Sequence, residues 1–327
     1  MSVLLPADDP GAIAEAARIL RQGGLVAFPT ETVYGLGANA QDATAVANIF
    51  AAKARPTFDP LIVHLADRSW LDRVVRSTPE AASILAARFW PGPLTLVLPK
   101  LPVVPDLVTA GLDTVGVRVP DHPAARALIE AAGTPIAAPS ANLFGHVSPT
   151  TAAHVVEQLG DRVDAVLDGG PCRVGVESTI LSLASGHPVV LRPGGVTREA
   201  LAEVLGEAVG LARDQARDDK PLLAPGLFER HYATRTPLRL LSGRATDAGG
   251  LCRVGLLAYA GAPAAGFAAV EVLAPDGKPA TAAANLFAAL RRLDDCGLDL
   301  LLAEPCSEDG LGLAIMDRLR RCAAGAV

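Results

Sequence analysis

The sequence lacks the marks of several large protein classes. Its five cysteines, Cys172, Cys252, Cys296, Cys306 and Cys322, are scattered and form no C-x-x-C pair, which speaks against a disulfide framework or a zinc ribbon and fits reduced thiols. No long apolar run is present. The richest, Leu256 to Ala274, is broken by Gly261, Pro263, Gly266 and Glu271, so no membrane span is expected. The start, MSVLLPADDP, has no basic stretch leading into an apolar one, so no export signal is expected and the reading is a cytoplasmic protein. Positive charge is not in excess either: a formal net charge of −6 gives no global pull toward nucleic acid or anionic lipid and leaves open only a local basic cleft. There is no internal repeat and no low-complexity tract. The motifs G-x-x-x-x-G-K-[ST], H-E-x-x-H and G-x-S-x-G are missing, so a nucleotide site here is not a Walker loop.

What is present is a chain of 327 residues, half of them hydrophobic and a fifth charged, enough for two cores at roughly 150 residues per domain. Between Leu211 and Pro237 the apolar periodicity fails around the polar run RDQARDDKP, which places a linker at 211–237 between domains at 1–210 and 238–327. Its second half, APGLFERHYATRTP, has the composition of an ordered lid more than of a tether.

The first domain mixes the two periodicities. Helices are predicted from Pro10 to Gln22 with Asp8 or Asp9 as cap, from Asp42 to about Lys53, from Thr78-Pro79 to Phe89, from His122 to Ala132, after a Ser148-Pro149 cap through TTAAHVVEQLG, and from Thr197 to Gly206. Strands are predicted at LVAFP, LIVHL, PLTLVLP, TVGVRVP, TPIAAPS, AVLDGG, STILSL and PVVLRPG. After Pro237, the runs LRLLSG, VGLLAYAG, FAAVEVLA and DLLLAEP, with helices near Thr281 to Asp295 and up to about Cys322, predict a small α/β domain.

Polar groups sit where they need partners. Lys53 and Arg55 flank a helix exit forced by Pro56; they read as a phosphate clamp or as a solvated helix end. His64 inside LIVHL reads as a ligand group or as a core histidine bonded to backbone. Arg118 inside GVRVP must reach a carboxylate, a phosphate or solvent, and a substrate carboxylate suits it. Ser140 and Asn142 in PSAN follow a strand end, beside a helix that Ser148 is expected to cap, and read as an anion site or a plain turn. Ser178 in ESTI and Arg192 in LRPGG repeat the theme. Together they suggest polar groups converging beyond the carboxyl ends of strands.

In order along the chain, PTETVYGLG, K-x-R before PLIVH, GVRVP, PSAN, ESTI and RPG resemble the YrdC-like family, and APGLFERHYA with a second α/β domain resembles its longer two-domain form. That resemblance implies a twisted mixed α/β sheet with a nucleotide-binding cleft and a smaller, Rossmann-like C-terminal domain. It implies synthesis of threonylcarbamoyl-AMP and pyrophosphate from L-threonine, bicarbonate and ATP, with Mg²⁺ accompanying ATP, no organic cofactor and no membrane. The product is passed to downstream tRNA-modification proteins; contact with tRNA itself is possible but not required. By the same resemblance Lys53 and Arg55 are catalytic and share nucleotide binding with Asp59, Thr114, Ser140, Asn142, Ser148, Arg192, His231 and Tyr232. Thr32, His64, Arg118, the backbone at Ala138 and Ser178 hold threonine, and His231 and Tyr232 fold over the nucleotide as a lid. Asp59 stands where the family usually has asparagine, and a carboxylate there repels a triphosphate unless Mg²⁺ intervenes or it faces away. The competing readings are a carbamoyl-adenylate-forming carbamoyltransferase, whose cysteine-rich zinc modules this chain lacks, and a non-catalytic RNA-binding module.

Overall fold

The computed structural model describes residues 2–184, 186–212, 231–248, 253–263 and 265–325. Most of the expected linker and lid, 213–230, lies outside the described residues. The described chain falls into two units: the first takes in residues 2–144, 149–173 and 177–212, the second 145–148, 174–176 and those from 231 on. No helix among the described residues is long and apolar enough to cross a membrane.

The first unit opens with strand β1 (Val3–Pro6) and helix α1 (Pro10–Arg21). Asp9 caps α1 by accepting the Gly11 N–H at 2.8 Å, and Pro10 fills the first turn, where its missing N–H costs nothing. Strands β2 (Val26–Phe28) and β3 (Gly35–Asn39) pair antiparallel. Composition does not announce β3, because glycine is a weak strand former. Its glycine is nonetheless required: a Cβ at Gly37 would lie 2.8 Å from both the Phe28 ring and the Ile136 side chain. Helix α2 (Ala43–Lys53) starts on the Asp42 carboxylate, which accepts from Thr44 and Ala45, and ends at Ala54 in the left-handed region, φ 51°.

There follow β4 (Ile62–His64), a 3₁₀ turn at Arg68–Arg73, α3 (Glu80–Phe89), β5 (Leu94–Pro99), the short α4 (Asp106–Thr109), β6 (Thr114–Arg118), α5 (Pro123–Ala132) and β7 (Ile136–Ala137). Helix α6 (Ala152–Leu159) begins later than the sequence suggests. Thr151 rather than Ser148 is its cap, accepting the His154 N–H at 3.3 Å. By residue type Ser148 is the better cap, but Thr151 stands directly before the buried stripe Ala152, Val155 and Leu159. β8 (Ala165–Asp168), β9 (Thr179–Ser182), β10 (Val189–Arg192), α7 (Arg198–Leu205) and β11 (Gly210–Leu211) complete the unit.

These strands form one eleven-stranded sheet in the order β1-β8-β2-β3-β7-β4-β6-β5-β9-β10-β11. It is mixed, as expected: β4 and β6 run parallel, while β7 and β5 pair antiparallel to them on either side. Alternation along the strands sends Val63, Val115 and Val117 into the apolar core and leaves the opposite face of β4 and β6 to Ile62, His64, Thr114, Gly116 and Arg118.

The second unit is the smaller α/β element. Its strands, β12 (Leu238–Leu240), β13 (Val254–Ala258), β14 (Ala269–Val272) and β15 (Leu300–Ala303), form a parallel sheet in the order β12-β15-β13-β14. Helix α8 (Pro279–Asp294) lies between β14 and β15 in the chain and α9 (Leu311–Ala324) after β15. Leu286, Phe287 and Leu290 of α8 and Ile315 and Leu319 of α9 are fully buried, which fits helices laid against an all-parallel sheet.

Candidate active site

Lys53 and Arg55 are not a solvated helix end: they are only 1% and 8% exposed. The Lys53 ammonium donates to the carbonyl of Ser140 at 2.6 Å and to that of Asn142. The Lys53 carbonyl in turn accepts the Phe144 N–H at 3.0 Å. Lys53 therefore clamps the PSAN turn that follows β7. Burial, and then the nearby Arg55 charge, push its ammonium well below the usual lysine range.

Arg55 faces Asp59, Nη2 to Oδ2 at 2.8 Å, and also donates to the carbonyls of Asp59 and Pro60. Asp59 is fully buried, so its carboxylate is turned onto Arg55. Asn142 is buried and donates to the Leu143 carbonyl, while Ser140 bridges to Gly35 at the start of β3. Thr114 opens β6 opposite Pro99.

A second group lies at the ends of β4 and β6. His64 and Arg118 are register partners on β4 and β6. His64 is the backbone-bonded core histidine in geometry, with Nδ1 3.2 Å from the Ile62 carbonyl and its ring edge-on to Phe28 at 5.9 Å. Burial, and then the Arg118 charge, push its imidazole down to about 3, so it is neutral at physiological pH. Arg118 reaches neither solvent nor an empty space. It pairs with Glu31 at 2.6 Å, both side chains almost wholly buried, and its Nε donates to the Gly92 carbonyl.

Glu31 sits in a turn tied by Thr30, whose hydroxyl donates to the Val33 carbonyl at 2.6 Å and lies 2.8 Å from the Thr32 hydroxyl. Ser178 meets the Thr95 hydroxyl at 2.8 Å, and Arg192 donates to the Ser178 carbonyl at 3.0 Å. The structure thus puts Arg192 on Ser178, in this second group. Ala138 is held by its N–H to the Ile62 carbonyl at 2.9 Å.

The two groups adjoin: the turn that carries Glu31 leads into Tyr34, whose carbonyl accepts the Ala141 N–H at 2.8 Å, and Gly35, which bridges to Ser140, both in the PSAN turn beside Lys53. Lys53, Arg55, Asp59, Ser140 and Asn142 lie toward the start of β4 and β6, with Thr114; His64 and Arg118 lie at their ends, with Ser178 and Arg192 across β5 and β9. From Thr114 to Arg118 is roughly 13 Å at about 3.3 Å per strand residue. A small cavity of about 10 Å³ is lined by Pro60, Thr95, Thr114, Gly116 and Ile180 beside this stretch. Gly116 keeps it open, since a Cβ there would press on Thr95 at 3.2 Å.

Ser148, His231 and Tyr232 belong to the second unit. There Tyr232, fully buried with φ 63°, stacks on Phe287 at 5.3 Å and lies under the Arg318 guanidinium. Reasoning from sequence missed Glu31, Thr95 and Gly194. The last has a visible signal, a glycine pair after RP: a Cβ at Gly194 would lie 2.3 to 2.4 Å from the backbone of Glu177, Ser178 and Thr179. No group of three or more histidine, cysteine or carboxylate side chains able to hold a metal occurs among the described residues.

The family described as Telomere recombination (Sua5_yciO_yrdC) matches residues 18–194, and that described as Threonylcarbamoyl-AMP synthase, C-terminal domain matches 196–324. The Threonylcarbamoyl-AMP synthase of Bacillus subtilis is 46% identical over 336 residues, covering 99% of this chain and 96% of its own length. Among solved structures, Pyrococcus abyssi Sua5 complexed with L-threonine aligns with a TM-score of 0.91 at 42% identity, over 99% of this chain and 98% of that one. A variant of the same Pyrococcus abyssi protein, with a histidine and the tyrosine after it both changed to alanine, aligns with a TM-score of 0.90 at 41% identity, over 99% and 97%. The chain belongs to the Sua5, YciO and YrdC family, in its two-domain form.

Proposed function

We propose that the chain forms threonylcarbamoyl-AMP and pyrophosphate from L-threonine, bicarbonate and ATP, as a nucleotidyltransferase serving threonylcarbamoyladenosine modification of tRNA. The observation that carries this reading is a buried cation and carbonyl cluster around Lys53 and Arg55, joined through the PSAN turn to the loop that sets Glu31 on the buried Arg118. Such adjoining groups suit a polyphosphate and an amino acid held side by side. The match to a threonylcarbamoyl-AMP synthase over 99% of this chain supports it.

In this reading bicarbonate releases hydroxide to give carbon dioxide, threonine's ammonium gives that hydroxide a proton to form water, the free amine adds to carbon dioxide and loses its second proton to solvent, and an oxygen of the resulting carbamate attacks the α-phosphorus as pyrophosphate leaves. No covalent enzyme intermediate is needed, so catalysis consists of positioning and charge neutralisation. Lys53 acts by holding the Ser140 to Asn142 turn against the nucleotide. Arg55 supplies positive charge tempered by Asp59. Thr114 borders the nucleotide. Thr32, His64, Arg118, Ala138 and Ser178 take threonine, and Arg192, which also holds the Ser178 carbonyl, is a nucleotide-binding residue. A neutral His64 can bond the threonine hydroxyl without adding charge beside Arg118. From the family resemblance alone, Ser148, His231 and Tyr232 are further nucleotide-binding residues.

Mg²⁺ enters with ATP. Asp59 is the carboxylate of the nucleotide group and is already engaged by Arg55, so phosphate oxygens and water suit the ion as ligands. The adenylate goes on to downstream tRNA-modification proteins, and we place the chain in the cytoplasm. The test is pyrophosphate release by the purified protein from ATP and bicarbonate, with and without L-threonine, with mass spectrometry of the product. Threonine-dependent release with the threonylcarbamoyl-adenylate mass is expected. Release that requires carbamoyl phosphate instead would transfer the chain to the carbamoyltransferase reading.

A further inference from the structure

The group at the ends of β4 and β6 contains a charge that the reaction as described does not use. Glu31 is 1% exposed, and its Oε1 lies 2.6 Å from Arg118 Nη2. Its Oε2 accepts the Asp121 N–H at 3.0 Å, which fixes the carboxylate against the loop leaving β6. The bracing of its own turn by Thr30 leaves it little freedom to swing away. The buried Glu31 carboxylate and the buried Arg118 guanidinium, beside an uncharged His64, form a pair of zero net charge. Burying a net charge is costly, so such a pair accepts a ligand that is itself neutral overall and carries both signs.

An α-amino acid is such a ligand. We propose that Glu31 is a specificity-determining residue that binds the α-ammonium of threonine while Arg118 takes the α-carboxylate, so the pair is a preformed reader of the amino-acid zwitterion. This rests on the assignment of threonine to this group. In the resting chain the two side chains satisfy each other; the bound zwitterion supplies each with a replacement partner of the same sign as the one it gives up. A carboxylic acid without the amine satisfies Arg118 but leaves Glu31 facing a like charge with its guanidinium partner shared. Glu31 therefore selects amino acids over hydroxy acids of the same shape.

Isothermal titration calorimetry on the full chain with two probes, L-threonine and 3-hydroxybutanoate, tests this. Unchanged protein should bind threonine at least about tenfold more tightly, the worth of one hydrogen bond to a charged group. Glu31→Gln, which keeps the shape, should weaken threonine by about tenfold or more and leave 3-hydroxybutanoate unchanged or tighter. Equal weakening of both probes would mean that Glu31 only props Arg118 and would overturn the proposal. If Glu31→Gln does not fold, the unchanged chain decides: equal affinity for the two probes overturns the proposal as well. An unchanged chain that binds no threonine would overturn the functional assignment itself, and this inference with it.

Discussion

His64 stands beside Arg118 in the register of two parallel strands, with its imidazole buried and pushed down to about 3. In an unfolded chain a histidine titrates near 6.5, so between about pH 6.5 and pH 3 the unfolded state holds the extra proton. Stability should therefore fall as the solution is acidified through that window, by about 1.4 kcal/mol per pH unit from this residue, or ~2 kcal/mol between pH 8 and pH 5. Urea denaturation at pH 8 and pH 5 should show a smaller loss for His64→Asn than for the unchanged chain. The same loss in both would mean that His64 does not carry the acid sensitivity.

The Arg55 to Asp59 pair makes a different prediction. Asp59→Asn removes a negative charge 2.8 Å from the guanidinium and retains the backbone carbonyls that Arg55 also uses. ATP should then bind more tightly, with KM for ATP several-fold lower, while the melting temperature drops because a buried pair is broken. Arg55→Ala should lower turnover by on the order of 10² and cost about 3–5 kcal/mol of stability. The double change Arg55→Met with Asp59→Leu should recover much of that stability and none of the turnover. If turnover returns with stability, Arg55 is structural and leaves the proposed catalytic set.

How much of this was visible in the residues depended on whether the controlling interaction was local. The caps of α1 and α2 were legible because Asp9 and Asp42 act on amides two and three residues on. The cap of α6 was misplaced because by residue type Ser148 is the better cap, and only packing of Ala152, Val155 and Leu159 selects Thr151. Strand β1 escaped notice since Val3 and Leu4 remain exposed at the sheet edge, and its existence depends on pairing with β8. β3 was hidden by glycines whose purpose, room for the Phe28 ring, is a tertiary fact. In the site, His64 and Arg118 stood out as polar groups in apolar runs, Lys53 and Arg55 as cations at a helix exit, and Ser178 as a hydroxyl at a strand edge. Glu31 did not, because a glutamate in a polar turn needs no explanation until Arg118 is found against it.

Gly194 offers a test of how tightly the threonine end is built. A methyl group there would meet only backbone, at 2.3 Å from the Glu177 carbonyl oxygen and 2.4 Å from Ser178 and Thr179, so nothing flexible can give way. Gly194→Ala should move the segment that carries Ser178, destabilise the chain by about 1–3 kcal/mol, and raise KM for threonine by more than KM for ATP. Steady-state kinetics with each substrate varied in turn would show it. Equal effects on both constants would mean a general loss of folded protein.

Lys53 separates stability from function most sharply. Its ammonium is buried and pushed well down, by burial first and Arg55 second, so keeping it charged opposes folding at neutral pH. As pH falls below the usual lysine range toward the folded value, the unfolded state gains the proton first and stability declines. Against this, the two carbonyls it holds, at Ser140 and Asn142, would lose a donor if it were removed, at about 1–3 kcal/mol each. The two effects oppose each other, so Lys53→Met should cost less stability than the orphaned carbonyls alone, about 2 kcal/mol or less. Turnover should nevertheless fall by on the order of 10² and KM for ATP should rise, because the clamped turn is released. Lys53→Arg should not rescue, since a planar guanidinium does not fit where a compact ammonium meets two carbonyls. A stability loss of about 4 kcal/mol or more in Lys53→Met would show instead that the clamp serves the fold, with activity lost only as a consequence.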